Sequence, residues 1–116
     1  MENVIESKSF EFAVKIVKMA IEIKKNKLHY ELGSQVLRSG TSIGANIAEA
    51  QEAQSKKDFV SKLSIALKEA NETEYWLRLL ERTEIIDTEV AKQLIGEVKE
   101  IQRILTAILK TSSYNK

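Results

Sequence analysis

The stretch that decides the fold runs from Arg38 to Leu80, RSGTSIGANIAEAQEAQSKKDFVSKLSIALKEANETEYWLRLL. Its first half is built from small residues, and Gly40, Gly44 and Ala48 recur every fourth position, so they lie along one side of a helix. Each interior glycine costs about 1 kcal/mol of helix propensity relative to alanine. Close packing against another helix is the expected compensation. The second half carries large apolar residues at helical spacing, so the stretch predicts two packed helices and specifies architecture more than chemistry.

Composition extends this prediction to the whole chain. The chain has 116 residues, no proline and only four glycines, which is typical of a nearly all-helical protein of one domain, residues 1–116. Charged residues make up 30% and the net charge is +1, so no global field favours nucleic acid or a membrane. The absence of cysteine excludes disulfides, thiolate metal sites and cysteine nucleophiles.

Apolar periodicity and capping residues predict four helices, at about residues 9–27, 32–51, 55–82 and 87–111. Ser9 and Asp87 are candidate N-caps, and Ser55 with Asp58 resembles a capping box. Leu94, Val98, Ile101, Leu105 and Ile108 form a heptad-like seam in the last helix. Because the connections are short, consecutive helices are expected to be antiparallel neighbours. The predicted fold is an all-α, up-down-up-down antiparallel four-helix bundle.

The first helix has more apolar surface than a four-helix monomer needs. One stripe comprises Phe10, Ala13, Val14, Val17, Ala20 and Ile21, and a second lies roughly on the far side. The third helix is also broader in apolar surface than one stripe. The surplus indicates an interface between subunits. The predicted interface residues are Phe12, Ile16, Met19, Ile23, Trp76 and Leu79.

No constellation for catalysis or metal binding is apparent. The only histidine, His29, has Asn26 three residues before it, so the Glu-x-x-His pair of di-iron bundles is absent, and His29 is expected in the first turn. The glutamates are interpreted as solvated helix-face charges. Glu74 and Asn46 are exceptions near apolar stripes, where a polar side chain fixes register or partner choice. We therefore expect no catalytic residue, no metal ligand and no cofactor.

Lysines give the first helix a positive bias and support a second hypothesis, binding to RNA or DNA. Lysines near phosphates provide affinity that is independent of sequence and sensitive to salt. The balanced charge and the scarcity of arginine and aromatic residues favour a solvated face instead. The candidate nucleic-acid-binding residues are Lys15, Lys18, Lys24, Lys25 and Lys27.

Targeting signals are also not apparent. The first residues, MENV, begin acidic without a following basic and apolar region, and the longest uncharged run, residues 39–48, is too short to cross a bilayer. The expected location is the cytoplasm, with no membrane partner.

The central block resembles a known family, through the residues Ser42, Ile43, Asn46, Ile47, Ala48, Glu49 and Ser55. It is similar to the bacterial four-helix-bundle proteins encoded in intervening sequences of 23S rRNA genes, which are related to the accessory variability determinant protein of diversity-generating retroelements. The resemblance covers nearly the whole chain. It implies a homopentameric ring with no established catalytic activity or cofactor. Family members often have glycine where this chain has Ala50, which favours a longer second helix.

Two functional hypotheses follow. The leading one is a non-enzymatic oligomer that acts as a scaffold or adaptor, with copies of itself and a protein as partners. The alternative is an accessory protein that binds RNA or DNA through the lysine-bearing surface.

Overall fold

The computed structural model describes residues 3–114, and within that range the secondary structure is entirely helical. Four α-helices follow one another: α1 (Val4–Ile23), α2 (Tyr30–Gln51), α3 (Lys56–Arg82) and α4 (Thr88–Tyr114). A single 3-10 turn, Lys27–His29, precedes α2. The all-α class and the number of helices are therefore as the sequence predicts.

The predicted start of the first helix at Ser9 is wrong. The helix begins at Val4, where Asn3 is the N-cap and its side chain accepts hydrogen bonds from the backbone N–H groups of Ile5 and Glu6. Ser9 lies inside α1 and is buried, and its hydroxyl donates to the Glu6 carbonyl at 3.1 Å. Asn3 satisfies the free N–H groups of the first turn, which Ser9 in the helix interior does not do.

The predicted end of the first helix is also too late. α1 ends at Ile23 with Lys24 as its C-cap, so Lys25 and Lys27 follow the helix instead of lying in its last turn. Asn26 begins the 3-10 turn, and its side chain accepts from the Leu28 N–H at 2.9 Å. His29 lies in this connection, as predicted.

The predicted caps of the last two helices are confirmed. The Ser55 hydroxyl accepts from the Asp58 N–H at 3.0 Å at the start of α3. Asp87 accepts from the Glu89 N–H at 3.1 Å at the start of α4. α4 continues as far as Tyr114, beyond the predicted end at 111, and residues 115 and 116 lie outside the described residues.

One apolar core is shared by all four helices, and the heptad-like seam of α4 faces it. Burying a large aliphatic or aromatic side chain stabilises a fold by about 1.5–3 kcal/mol, so this shared core is the main source of stability. Its largest fully buried apolar side chains are Phe12, Ile16, Val36, Ile43, Ile47, Leu63, Leu77, Leu80, Val98, Ile101 and Leu105.

Three of the six predicted interface residues are wrong, because the single chain buries their side chains. Phe12 and Ile16 are 0% exposed and Ile23 is 6% exposed within a single chain, so their side chains are not available to a second copy. Of the other predicted stripe, Phe10 and Ile21 face outward at 66% and 57% exposure, whereas Ala20 is 0% exposed and belongs to the core. The sequence correctly indicates two stripes on this helix but does not indicate which one the chain buries.

The glycines of α2 explain how α1 is held. A Cβ added to Gly40 would lie 2.7 Å from Cγ2 of buried Ile16, and one added to Gly44 would lie 3.3 Å from the Ser9 carbonyl oxygen. The predicted close approach of a second helix to this line of small residues is therefore confirmed. It brings α2 onto the inward stripe of α1, and the outward stripe stays uncovered.

Contacts between neighbouring helices follow a regular order. Late residues of α2 meet early residues of α3, as in the Glu49–Lys62 pair at 2.9 Å, while Arg38 in the middle of α2 reaches Glu69 further along α3. Of the four pairs of adjacent helices, α1 and α4 pack least closely, and the ion pair Lys15–Glu97 at 2.8 Å bridges them. The helices form a body of 47 × 23 × 21 Å.

Candidate functional site

An apolar stripe on the outside of α1 is the first candidate surface. We call Phe10, Val14, Val17 and Ile21 the outer α1 stripe; their spacing of four, three and four keeps them on one side of the helix. Phe10 and Ile21 are exposed, whereas Val14 and Val17 are half-buried. Large apolar side chains repeated along one helix face and left in water are typical of a contact with another protein.

Acidic side chains surround one end of this stripe. Glu6, Ser7, Phe10 and Glu11 line a shallow depression, here called the acidic notch. The exposed Phe10 ring and the carboxylates of Glu6 and Glu11 line it together. Glu11 also borders an adjoining depression with Lys8 and Lys15, whose charges are paired with Glu100 and Glu97 of α4. The notch therefore combines an aromatic side chain with a defined charge.

A second exposed surface lies near the end of α3. Tyr75, Arg78, Leu79 and Arg82 line a depression, here called the basic notch. Tyr75 is 59% exposed, and its ring packs edge-to-face on Trp76 with centroids 5.1 Å apart. Leu79 and Trp76, both predicted interface residues, are half-buried beside Tyr75, and that prediction stays untested for them.

Polar contacts hold Trp76 in place. Its indole N–H donates to Glu72 at 3.2 Å, and the Arg38 guanidinium of α2 also binds Glu72 and reaches Glu69 at 3.2 Å. The indole hydrogen bond and then the guanidinium lower the pKa of Glu72, while the same contacts with Glu72 and Glu69 raise the pKa of Arg38. This network joins α2 to α3 and fixes the surface beside the basic notch.

Glu74 joins α3 to α4, consistent with its predicted role in register. It accepts from Gln102 at 2.9 Å and from Nε of Arg78 at 2.8 Å, and Lys99 lies 3.4 Å away. The Gln102 hydrogen bond is the main cause of the lowered pKa of Glu74, and Arg78 adds to it. Asn46, the other predicted register residue, donates instead to the Ser42 carbonyl of its own helix at 2.8 Å.

The most deeply buried polar contact was missed by the sequence analysis. Thr73 and Ser39 are both 0% exposed, and the Thr73 hydroxyl lies 2.9 Å from that of Ser39 and 2.7 Å from the Glu69 carbonyl. Thr73 falls between Ala70 and Leu77 on the apolar stripe of α3, which is the one signal that could have found it. This pair fixes α2 against α3 and is structural.

The residues of the family motif also have structural roles. Ile43 and Ile47 are core residues, Glu49 forms an ion pair with Lys62 of α3, and Ser55 caps α3. The Ser42 hydroxyl donates to its own helix backbone, and Ala48 is exposed. The motif therefore holds α2 against α3.

Three of the predicted nucleic-acid-binding lysines contact side chains of the same chain, and the prediction itself stays untested. Lys15 binds Glu97 and Lys25 binds Glu22, both at 2.8 Å, and the Lys24 ammonium lies 4.4 Å from the centroid of the Tyr30 ring. Lys18 shares a groove with Met19, the remaining predicted interface residue on α1. Lys27 lies in the 3-10 turn at the end of the molecule.

The geometry thus defines a class, an all-α protein of four helices with outward-facing apolar and charged surfaces. Comparison of the sequence identifies the family. The chain belongs to the 23S rRNA-intervening sequence protein family, whose family model matches residues 1–107.

A solved structure supports this membership. The crystal structure of a protein with unknown function from the S23 ribosomal protein family of Bacteroides thetaiotaomicron VPI-5482 is similar, with a TM-score of 0.88 and 51% sequence identity. The match covers 91% of this chain and 98% of that one. No curated protein matches the chain. Within residues 3–114, no helix has the length and apolar character needed to span a membrane.

Proposed function

We propose that the protein is a non-enzymatic cytoplasmic homo-oligomer, a pentameric ring of antiparallel up-down-up-down four-helix bundles that acts as a scaffold or adaptor. The outer α1 stripe is the observation on which the proposal depends. The first helix already contributes Phe12 and Ile16 to the core, yet Phe10 and Ile21 are left largely in water. A contact with another copy would remove this second apolar face from water.

The order of the contacts supports the antiparallel arrangement. Gly33 of α2 lies against Lys24 at the end of α1, whereas Gly44 lies against Ser9 near its start. On the α2–α3 side, Glu49 pairs with Lys62 while Arg38 pairs with Glu69. In both pairs of helices, increasing residue numbers in one helix meet decreasing numbers in the other.

The roles of the polar residues support a non-enzymatic function. Glu72 and Glu74, two partly buried glutamates of α3, accept hydrogen bonds that lower their pKa values. A general acid at neutral pH needs a raised carboxyl pKa, which is the opposite shift. The family motif is likewise used for packing, capping and one ion pair.

The test of this proposal is the mass of the purified protein by light scattering over a range of concentrations. We expect an oligomer of five chains for the native sequence. Phe10→Asp with Ile21→Asp should give monomers that stay helical by circular dichroism, because both side chains lie outside the core. Leu28→Asp is the matched control, since Leu28 is 89% exposed in the 3-10 turn, and it should leave the mass unchanged.

The same preparation tests the alternative, binding of RNA or DNA. Nucleic acid that co-purifies and is lost as salt rises would support that alternative, because phosphate contacts weaken steeply with salt. Replacing Lys24, Lys25 and Lys27 with glutamine should then abolish the binding of nucleic acid.

A native protein that is monomeric at every concentration would contradict the oligomer proposal.

A further inference from the structure

We infer that copies of this chain join head to tail, with the acidic notch on α1 of one copy packed against the basic notch on α3 of the next. The inference rests on the proposed oligomer and adds which surface meets which. Its partner is a second copy of the chain, recognised by apolar contact and by opposite charge.

The apolar part of the contact comes from two exposed aromatic rings. Phe10 is 66% exposed in the acidic notch, and Tyr75 is 59% exposed in the basic notch, where Leu79 lies beside it. Aromatic side chains are enriched at the centres of protein interfaces, where they bury large areas at little cost in conformational freedom. Each notch therefore offers the kind of side chain that anchors a contact.

The charged part distinguishes the two notches. Glu6 and Glu11 lie beside Phe10, and Arg78 and Arg82 lie beside Tyr75. Arg78 is held by Glu74 of its own helix, with Nη2 and Oε2 2.7 Å apart, so Arg82 is the arginine assigned to the next copy. Opposite charges across an interface raise the rate of encounter and select the correct partner.

Charge also argues against each notch packing on itself. In a two-fold contact the same patch lies on both subunits, which would place the Glu6 and Glu11 carboxylates of two copies near one another, or Arg82 near Arg82. Repulsion between like charges disfavours a contact between two copies of the same notch, while attraction favours a contact between the acidic notch and the basic notch. A contact between two different patches repeats around the assembly and closes into a ring when the rotation permits.

A charge-reversal cycle tests the inference. We choose Glu11→Lys and Arg82→Glu because both side chains are exposed, and we leave Glu6 alone because it lies in the first turn of α1. Each single variant should raise the dissociation constant between subunits at least about tenfold by placing like charges in the contact. The double variant should return to within about threefold of the native value, because its charges are again opposite. Arg103→Glu, at another exposed site, is the matched control and should leave assembly unchanged.

The other outcomes contradict the inference in distinguishable ways. An effect of only one of Glu11→Lys and Arg82→Glu would indicate that its notch meets some other surface of the next copy, which overturns the contact inferred here but leaves the oligomer. Oligomers that ignore both reversals would overturn the contact in the same way. A native chain that is always monomeric would overturn the proposed function and this inference with it.

Discussion

Glu84 occupies the one backbone conformation in residues 3–114 that L-residues disfavour, with a φ of 61° just after α3. The turn there is closed by the Ile85 N–H, which donates to the Leu80 carbonyl at 3.0 Å. Glycine is the usual residue at this position of a helix C-terminus because it has no Cβ to clash.

Replacing Glu84 with glycine should therefore stabilise the protein. We expect Glu84→Gly to raise the free energy of unfolding in urea by about 0.5–1 kcal/mol. The matched control is Glu81→Gly in the last turn of α3, which should lower it by about 1 kcal/mol because its backbone is helical. Equal effects of the two substitutions would contradict this account.

Glu74 gives the stability a dependence on pH. Because its pKa is lowered in the folded protein, its contribution is fully present above the ordinary pKa of a glutamate and is lost as pH falls through the lowered value. Glu74→Gln should lower the free energy of unfolding at neutral pH by about 1–2 kcal/mol and reduce its loss in acid, measured by urea unfolding from pH 7 to pH 2.

At the scale of helices, Gly40 tests how closely α1 approaches α2. A Cβ on Gly40 would be 2.7 Å from buried Ile16, whereas one on Gly96 of α4 would meet no atom of the described residues within 4 Å. Gly40→Ala should thus lower the free energy of unfolding by about 1 kcal/mol or more through overpacking, despite its better helix propensity.

Gly96→Ala is the matched variant in the other direction. It adds the same methyl group to an exposed helical site and should raise the free energy of unfolding by up to about 1 kcal/mol. Urea unfolding of the two variants side by side measures both changes. If both alanine variants are more stable than the native protein, the α1–α2 contact accommodates a methyl group at position 40, which would contradict this account.

At the scale of the whole molecule, an assembly would combine surfaces that lie far apart in the sequence, one on the first helix and one on the third. The outer α1 stripe lies within the first 21 residues, and the basic notch lies at residues 75–82. In a ring joined through two unlike patches, every subunit would expose the same remaining surfaces. The lysine-rich end of α1 would then occur once per subunit around the ring. Such repetition is how a scaffold presents the same weak binding surface many times.

Several features of the fold follow from short-range chemistry that the sequence contains. The four helices and their all-α class come from apolar periodicity and the absence of proline, and Ser55 and Asp87 were identified as caps because a cap depends on neighbours within three residues. The sequence favours Ser9 as the cap over Asn3 because the polar residues 6–8 separate Asn3 from the apolar run that begins at Phe10. Only the observed hydrogen bonds to Ile5 and Glu6 decide between them.

The direction in which α1 faces was decided by tertiary structure alone. Both of its stripes are apolar, so periodicity alone does not predict which one lies in the core. Gly40 of α2 leaves room for the Ile16 side chain, because a Cβ at that position would clash with it. The same packing puts Thr73 inside and leaves Phe10 in water. Apolar periodicity and composition are enough to identify the four helical segments. They also show that the first helix is apolar on two sides. Which side is buried depends on steric complementarity with the neighbouring helix. Complementarity belongs to the pair of helices, so the pattern of one segment does not reveal it.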